Sequence, residues 1–310
     1  MTPPAHLCRL YGLTIASPFP LRGATSLAST PEVPDVTIQW QPESAWRAVA
    51  TPLTPRPEPD SDRPWLGLTV EGDLCVQWRR ELQFVIKPAN DELIVVCRPA
   101  KLEFAPTALI GIGLGLLLHR RGVLCIHGSA LSINGRTITL VGESGAGKST
   151  AAASLIVRGA TLISDDVVAL RSSGEDFIVE PGSTSLRLGQ AAKTHILGAD
   201  LQLSTVPWID KFSWDVPTDH GKEPPSRRLD AIYLLGAAEG AEGVRPDPPL
   251  TPLLALRELI EALYPQGFSA LLTQAQLTVL RAVAERVPVI VLRYPRRWDI
   301  LPELYEVLAG

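Results

Sequence analysis

The stretch Val141–Leu170, VGESGAGKSTAAASLIVRGATLISDDVVAL, carries two groups of chemically capable residues close together. Gly142, Glu143, Ser144, Gly145, Ala146, Gly147, Lys148, Ser149 and Thr150 form the first, a glycine and four free positions followed by Gly-Lys-Ser and a threonine. Such a loop turns backbone N–H groups onto phosphate oxygens. Its lysine reaches the β- and γ-phosphates, and its serine hydroxyl binds magnesium. ATP and Mg2+ are the ligands this pattern implies. The second group is the bare acid pair Asp165 and Asp166. A carboxylate delivered beside a γ-phosphate can orient an acceptor hydroxyl and take its proton. Neighbouring residues on a strand point to opposite faces. One acid is therefore expected to face the acceptor and the other a metal or a supporting hydrogen bond, unless the chain bends there.

His127 ends the apolar run VLCI. On its own it reads more often as a packed or surface residue than as the proton partner of a carboxylate. Transporter-type ATPases share the SGAGKST wording, but their LSGGQ segment and distant strand-end acid are absent from this sequence.

The elements that must position these residues follow from pattern. Residues 136–141 read as the strand feeding the loop, and Asn134-Gly135 as a tight hairpin turn from a strand near 129–133. A helix over 148–158 ends at Gly159, placed for a left-handed cap, and ATLIS follows as a strand with the acid pair at its end. LDAIYLL and VPVIVLRY read as further strands, 253–285 as two helices and 301–308 as a last one. Upstream, DVTIQW, WLGLTV, LCVQWRR, LQFVIK and ELIVVCR give a small, mainly β region. The proline-rich 51–64 is expected as an exposed loop, 105–120 as a buried helix, and 196–229 as loop-rich with a mobile GKEPPSRR. The expected division is a β-rich domain over 1–104 and an α/β domain over 105–310.

At 310 residues the chain is long enough for two such domains, and 45% hydrophobic with 20% charged residues is an ordinary globular balance. A net charge of -4 without a basic stripe argues against nucleic acid as partner. The four cysteines have no CxxC spacing and are expected reduced and mostly buried. The N-terminus lacks the form of a secretory signal, and the most apolar run, 104–118, is shorter than the roughly 20 residues of a membrane span. A cytoplasmic protein without membrane association is expected.

IHGSAL, GESGAGKST and RGATLISDDVV, in that order, resemble the catalytic domain of the HPr kinase/phosphorylase family, bacterial P-loop enzymes that phosphorylate a serine of a small phosphocarrier protein. The resemblance is tight over 125–170. VEPGSTSLRL, IDKF and LRYPRRWDILPELYEVL look more like a related branch, some of whose members phosphorylate ribosomally made precursor peptides, lasso peptides among them. The implied fold is α/β, a P-loop kinase domain of the HPr kinase type with a smaller β-rich N-terminal domain. The resemblance gives Lys148 and Ser149 the phosphate and magnesium roles. It makes Asp165 the acid that takes the serine proton, His127 its hydrogen-bonding neighbour, and Asp166 metal or supporting ligand. Arg187 and Lys211 are candidate phosphate or substrate contacts.

The sequence departs from the family in two places. Thr150 stands where Glu is usual, and the signature E-[IL]-R-G-[LI]-G after the acid pair is absent. The expected partner is therefore a serine on a peptide or small protein, with HPr itself as the alternative acceptor; a homo-oligomer is compatible with this reading. A nucleotide-binding regulator and a small-molecule kinase are the readings from other classes.

Overall fold

The computed structural model describes residues 6–27, 33–56, 64–78, 81–206, 209–217, 224–237, 242–264 and 271–310. Two compact units divide the chain, Met1–Arg121 and Gly122–Gly310.

In the first unit the strands are β1 (His6–Leu10), β2 (Leu13–Ser17), β3 (Thr25–Ser26), β4 (Val36–Gln41), β5 (Thr51–Pro52), β6 (Trp65–Leu68), β7 (Leu74–Trp78), β8 (Leu82–Ile86) and β9 (Glu92–Cys97). Among the described residues they form one sheet in the order β3-β1-β2-β4-β9-β8-β7-β6-β5. The five strands read from 36–98 are present; β1 and β2 lie upstream of the region where strands were expected. Pro52 sits on the terminal strand β5, where its missing N–H costs no ladder bond. Of the expected proline-rich loop, residues 57–63 lie outside the described residues.

Alternation along β8 and β9 gives the sheet two buried faces. Val85, Ile94 and Val96 pack with Cys75 beneath Ala45, Trp46 and Val49 on one of them. On the other, Phe84 meets the helical stretch formed by α1 (Ala105–Ala108), a π-turn (Leu109–Gly113) and α2 (Leu114–Arg120). A Cβ at Gly113 would meet the Leu109 side chain at 2.9 Å and the Phe84 ring at 3.4 Å, so the tight contact that favours glycine is with Leu109 of the same helical stretch, which lies against Phe84. Arg121 closes the unit by donating to the carbonyls of Asn90 and Asp35. These contacts tie the helix expected in the α/β domain to the β-rich unit, and the division falls after Arg121 rather than after Phe104.

The second unit begins with β10 (Leu124–Ile133), β11 (Arg136–Val141), α3 (Lys148–Ile156), β12 (Thr161–Ser173), β13 (Asp176–Val179), β14 (Ser185–Leu188) and α4 (Gln190–Ala192). It continues with β15 (Ser204–Val206), β16 (Lys211–Asp215), β17 (Arg227–Arg228), β18 (Ala231–Ala237), β19 (Arg245–Pro246), α5 (Pro252–Glu261), α6 (Gln274–Arg286), β20 (Val289–Tyr294) and α7 (Leu301–Ala309). Among the described residues the main sheet runs β17-β13-β12-β10-β11-β18-β20-β19, with β11, β18 and β20 parallel and β10 antiparallel to both its neighbours. Ile138, Leu140, Tyr233 and Leu235 face α3 and α7. Val141 and Ile232 face α5 and α6. The run Ala151–Ala153 is fully buried, and small side chains let α3 lie close on the sheet. The hairpin turn at Asn134 and Gly135 has the positive φ at both positions that its type demands. Gly159 is left-handed as a cap should be.

The segment 196–229 is more regular than its composition suggests. β16 pairs with both β14 and β15 in a separate small sheet of order β14-β16-β15. Their strands are short and polar, with little alternation to read. Of the GKEPPSRR stretch expected to be mobile, residues 221–223 lie outside the described residues, and its last two residues form β17.

Candidate active site

The glycine loop leaves the sheet where β10 and β11 come closest. A Cβ on Gly128 would meet the Leu140 carbonyl at 2.6 Å, so only glycine lets β10 pass the end of β11 there. Gly147, at φ 96, turns the chain into α3 in a conformation that favours glycine, and Lys148 is the first helical residue. Its amine donates to the Gly142 carbonyl at 2.7 Å and the Glu143 carbonyl at 3.1 Å. Burial lowers the Lys148 pKa against the opposing pull of Asp165 and Asp166.

The acid pair lies within a long strand rather than at the end of one, because β12 continues past it to Ser173. The pairing with β10 slips by a residue between Ala130 and Leu131. Asp165 N–H donates to the Ser183 carbonyl, the Ser164 hydroxyl spans the pair to the Val167 carbonyl, and Asp166 adopts φ 70. A left-handed aspartate costs about 1 kcal/mol. What the bend achieves is that both carboxylates, expected on opposite faces in a straight strand, line one cavity.

That cavity, of about 370 Å3, is also lined by His127, Gly128, Ser144, Gly145, Gly147, Lys148, Ser149, Thr150, Arg187, Gly189 and Lys211. β14 carries Arg187 and the start of β16 carries Lys211, so the small sheet supplies the cations facing the loop. Three members of the loop do not line the cavity. Gly142 and Glu143 offer their carbonyls to Lys148, and Ala146 is buried in the core beneath α3.

The two acids have different surroundings. Asp165 accepts the Ser129 hydroxyl at 2.6 Å. Burial pushes its pKa up to about 6, with the Ser129 bond opposing the rise and the Asp166 charge adding to it. Asp166 bonds Arg187 at 2.5 Å, lies 3.5 Å from His127 Nδ1 and accepts the Tyr264 hydroxyl at 3.4 Å. Burial alone would raise its pKa, but the Arg187 charge and the bonds from Arg187 and Tyr264 hold it below the usual range. Burial brings His127 down to about 4 despite Asp166, so its ring is neutral at pH 7. The imidazole thus neighbours Asp166 rather than Asp165, the partner expected for it.

Ser129 and Tyr264 were not among the residues read from sequence. Ser129 lies in the quoted IHGSAL block, and pairing β10 antiparallel to β12 would have set it opposite Asp165. No local signal marks Tyr264, which is 98 residues from Asp166 in the chain.

The residues present fit both implied ligands. A cationic, glycine-turned loop faces a phosphate-sized space, and the Ser149 hydroxyl with two carboxylates offers the hard oxygen donors magnesium prefers.

The model of the HPr Serine kinase C-terminal domain matches residues 122–188. Residues 122–188 are thus similar to part of that domain. Similar curated proteins include the HPr kinase/phosphorylase of Caldanaerobacter subterraneus subsp. tengcongensis, 45% identical over 53 residues, which are 17% of this chain and 17% of that one. Those of Chlorobium phaeobacteroides and Chlorobium chlorochromatii are 40% identical over 84 residues (27% and 22%) and 49% over 49 residues (16% and 15%). The matches therefore span about a fifth or less of these relatives' own lengths. The structure of the Hpr(Ser) kinase/phosphatase from Coxiella burnetii aligns with 60% of this chain and 99% of its own, at 16% identity and a TM-score of 0.29. The matched segment contains the glycine loop, both acids, His127 and Arg187, while Lys211 and Tyr264 lie beyond it. All four cysteines are free and buried, and no helix among the described residues is long and apolar enough to cross a membrane.

Proposed function

We propose that the chain is an ATP- and magnesium-dependent phosphotransferase that phosphorylates a serine hydroxyl on a peptide or small protein. The observation that carries this is Asp165, a buried carboxylate with its pKa raised to about 6, in the same cavity as the loop lysine. A base of that strength is ionised at pH 7 yet holds a proton well enough to accept one from a hydroxyl.

Asp165 receives the proton as the serine oxygen bonds to the γ-phosphorus and the bond from that phosphorus to the β-phosphate oxygen breaks. Lys148, now held by its loop carbonyls, would hold the β- and γ-phosphates, and Arg187 and Lys211, which line the same cavity, would offset phosphate charge. Bound ATP with magnesium supplies the phosphoryl group and neutralises the leaving diphosphate. Ser149 and Asp166 would be the chain's oxygen donors to the metal, Asp166 keeping Arg187 beside it. His127, neutral and with Nδ1 3.5 Å from Asp166 but not hydrogen-bonded to it, limits that carboxylate's position by contact.

The names of the similar proteins favour HPr as the acceptor; the missing E-[IL]-R-G-[LI]-G signature favours another protein or a peptide. Incubation with ATP, magnesium and either HPr or serine-bearing peptides, read by the mass gain of one phosphate, tests both. A peptide acceptor predicts modified peptide and little modified HPr. Nucleotide binding without transfer to any acceptor would leave a regulator instead of a kinase.

A further inference from the structure

Beyond Val141 the chain turns off into the glycine loop, so β11 pairs with β10 only from Gly128 onward. The place beside Cys125–His127 is taken by the end of α5. His127 N–H donates to the Ala262 carbonyl at 2.7 Å, Tyr264 N–H donates to the Cys125 carbonyl at 2.9 Å, and Ile126 bridges to Leu263. Residues 262–264 thereby extend the line of β11 past the point where the loop departs. This main-chain clip sets the Tyr264 ring parallel to the His127 imidazole, 13° between planes and 5.8 Å between centroids. It also brings the Tyr264 hydroxyl to the same Asp166 oxygen, Oδ2, that Arg187 holds.

From this arrangement we infer that Tyr264 is a positioning residue for the phosphotransfer site: its ring fixes the plane of His127 against Asp166, and so holds the Asp166–Arg187 pair in register with the glycine loop. The inference rests on the kinase reading for its effect on rate but not for its effect on geometry. Tyr264 does not line the cavity, so it acts through His127 and Asp166 rather than on the reacting atoms. The parallel ring carries most of the effect, because a hydroxyl at 3.4 Å is a weak donor. A misplaced supporting group lowers the rate without removing the ligand's own anchors.

Two readouts on Tyr264→Leu and Tyr264→Phe test it. In the first, histidine side-chain NMR, with His127 assigned through His127→Asn, follows the ring-current shift that a parallel phenol imposes. The Leu variant should lose that shift and the Phe variant keep it. His127 resonances unmoved in the Leu variant would overturn the inference whether or not the protein is a kinase. In the second, the Leu variant should lose roughly 10- to 100-fold in kcat with the KM for ATP changed less than about two-fold, and Phe should restore all but about three-fold. A Leu variant that transfers at the parent rate, or one that loses only ATP affinity, would also overturn it. Should the Leu variant not fold, Tyr264→Trp, which keeps a ring of different size, replaces it. Parent-like His127 resonances together with parent-like kcat in the Trp variant would then overturn the inference, whereas a displaced His127 signal with reduced kcat supports it. Absence of transfer in the parent protein would instead count against the kinase reading and leave the NMR readout to decide the positioning role.

Discussion

In the N-terminal unit the buried Asp73 turns one oxygen to Lys87 Nζ at 3.1 Å and Arg47 Nη1 at 3.4 Å. The buried Asp165 of the C-terminal unit has neutral donors, the Ser129 hydroxyl and the Asp166 N–H, and among the described residues no cation lies within ion-pair distance of it. A carboxylate that only has to be buried is neutralised on the spot. One that has to accept a proton must be left short of positive charge, and its pKa of about 6 is the consequence. The nearby cations are occupied elsewhere, Lys148 on the loop carbonyls and Arg187 on Asp166.

The largest effect expected from this difference is on transfer. Asp165→Asn keeps the shape of the side chain and removes the base, so kcat should fall roughly 10²- to 10⁴-fold while calorimetry shows ATP binding nearly unchanged. Transfer at more than about a tenth of the parent rate would remove Asp165 from the role of base.

Next in size is the consequence of withholding Lys148 from Asp165. Its amine is held by two carbonyls that a triphosphate can replace, and Lys148→Ala should weaken ATP binding by about 3 kcal/mol, roughly a hundred-fold. Calorimetry on the folded variant measures this directly. An unchanged affinity would mean that the lysine belongs to the loop's own structure and not to the ligand.

How much of this was open to a reader of the sequence depends on how local each cause is. The glycine loop was legible because its backbone path admits few residue types, and so was the hairpin at Asn134 and Gly135. The bend at Asp166 was not. It arises from a slip in pairing with β10 and from the Ser164–Val167 bond, and an aspartate with positive φ looks like any other in the sequence. Ser129 needed the strand register, and Tyr264 needed the folded path of α5. The helix at 105–120 was read as a helix, but its grouping with the first unit depends on Phe84 meeting Gly113 and on Arg121 reaching Asn90 and Asp35. Lys211 came from a segment that looked like loop, because the short strands β15 and β16 carry little pattern.

The comparison also has a pH signature. Asp165 has a raised pKa in the fold, so between about 4 and about 6 the folded state binds more protons than the unfolded one. Its contribution to stability therefore falls as pH rises through that window. About two pH units at about 1.4 kcal/mol each give roughly 3 kcal/mol of destabilisation above pH 7, as an upper value. Asp165→Asn should accordingly be the more stable protein at pH 7.5 and indistinguishable from the parent near pH 4. Thermal melts of both proteins across this range decide the point. A variant less stable than its parent at pH 7.5 would show that the carboxylate is held by attractions other than the Ser129 and Asp166 N–H bonds.

The smallest effect is expected at Asp73, and its sign is opposite. Asp73→Asn leaves Lys87 and Arg47 beside a neutral amide in a site built around a negative charge. Because the two cations are 31% and 32% exposed, they can turn partly to water. The loss should thus fall below the 3–5 kcal/mol typical of fully buried pairs, at about 2 kcal/mol. It should persist across neutral pH, and nucleotide binding by the folded variant should be untouched, since the change lies in the other unit. Urea unfolding of the whole chain measures the stability change. If Asp73→Asn instead stabilised the protein as Asp165→Asn is expected to, the two carboxylates would be equivalent buried charges, and the contrast between a neutralised structural acid and an uncompensated catalytic one would be lost.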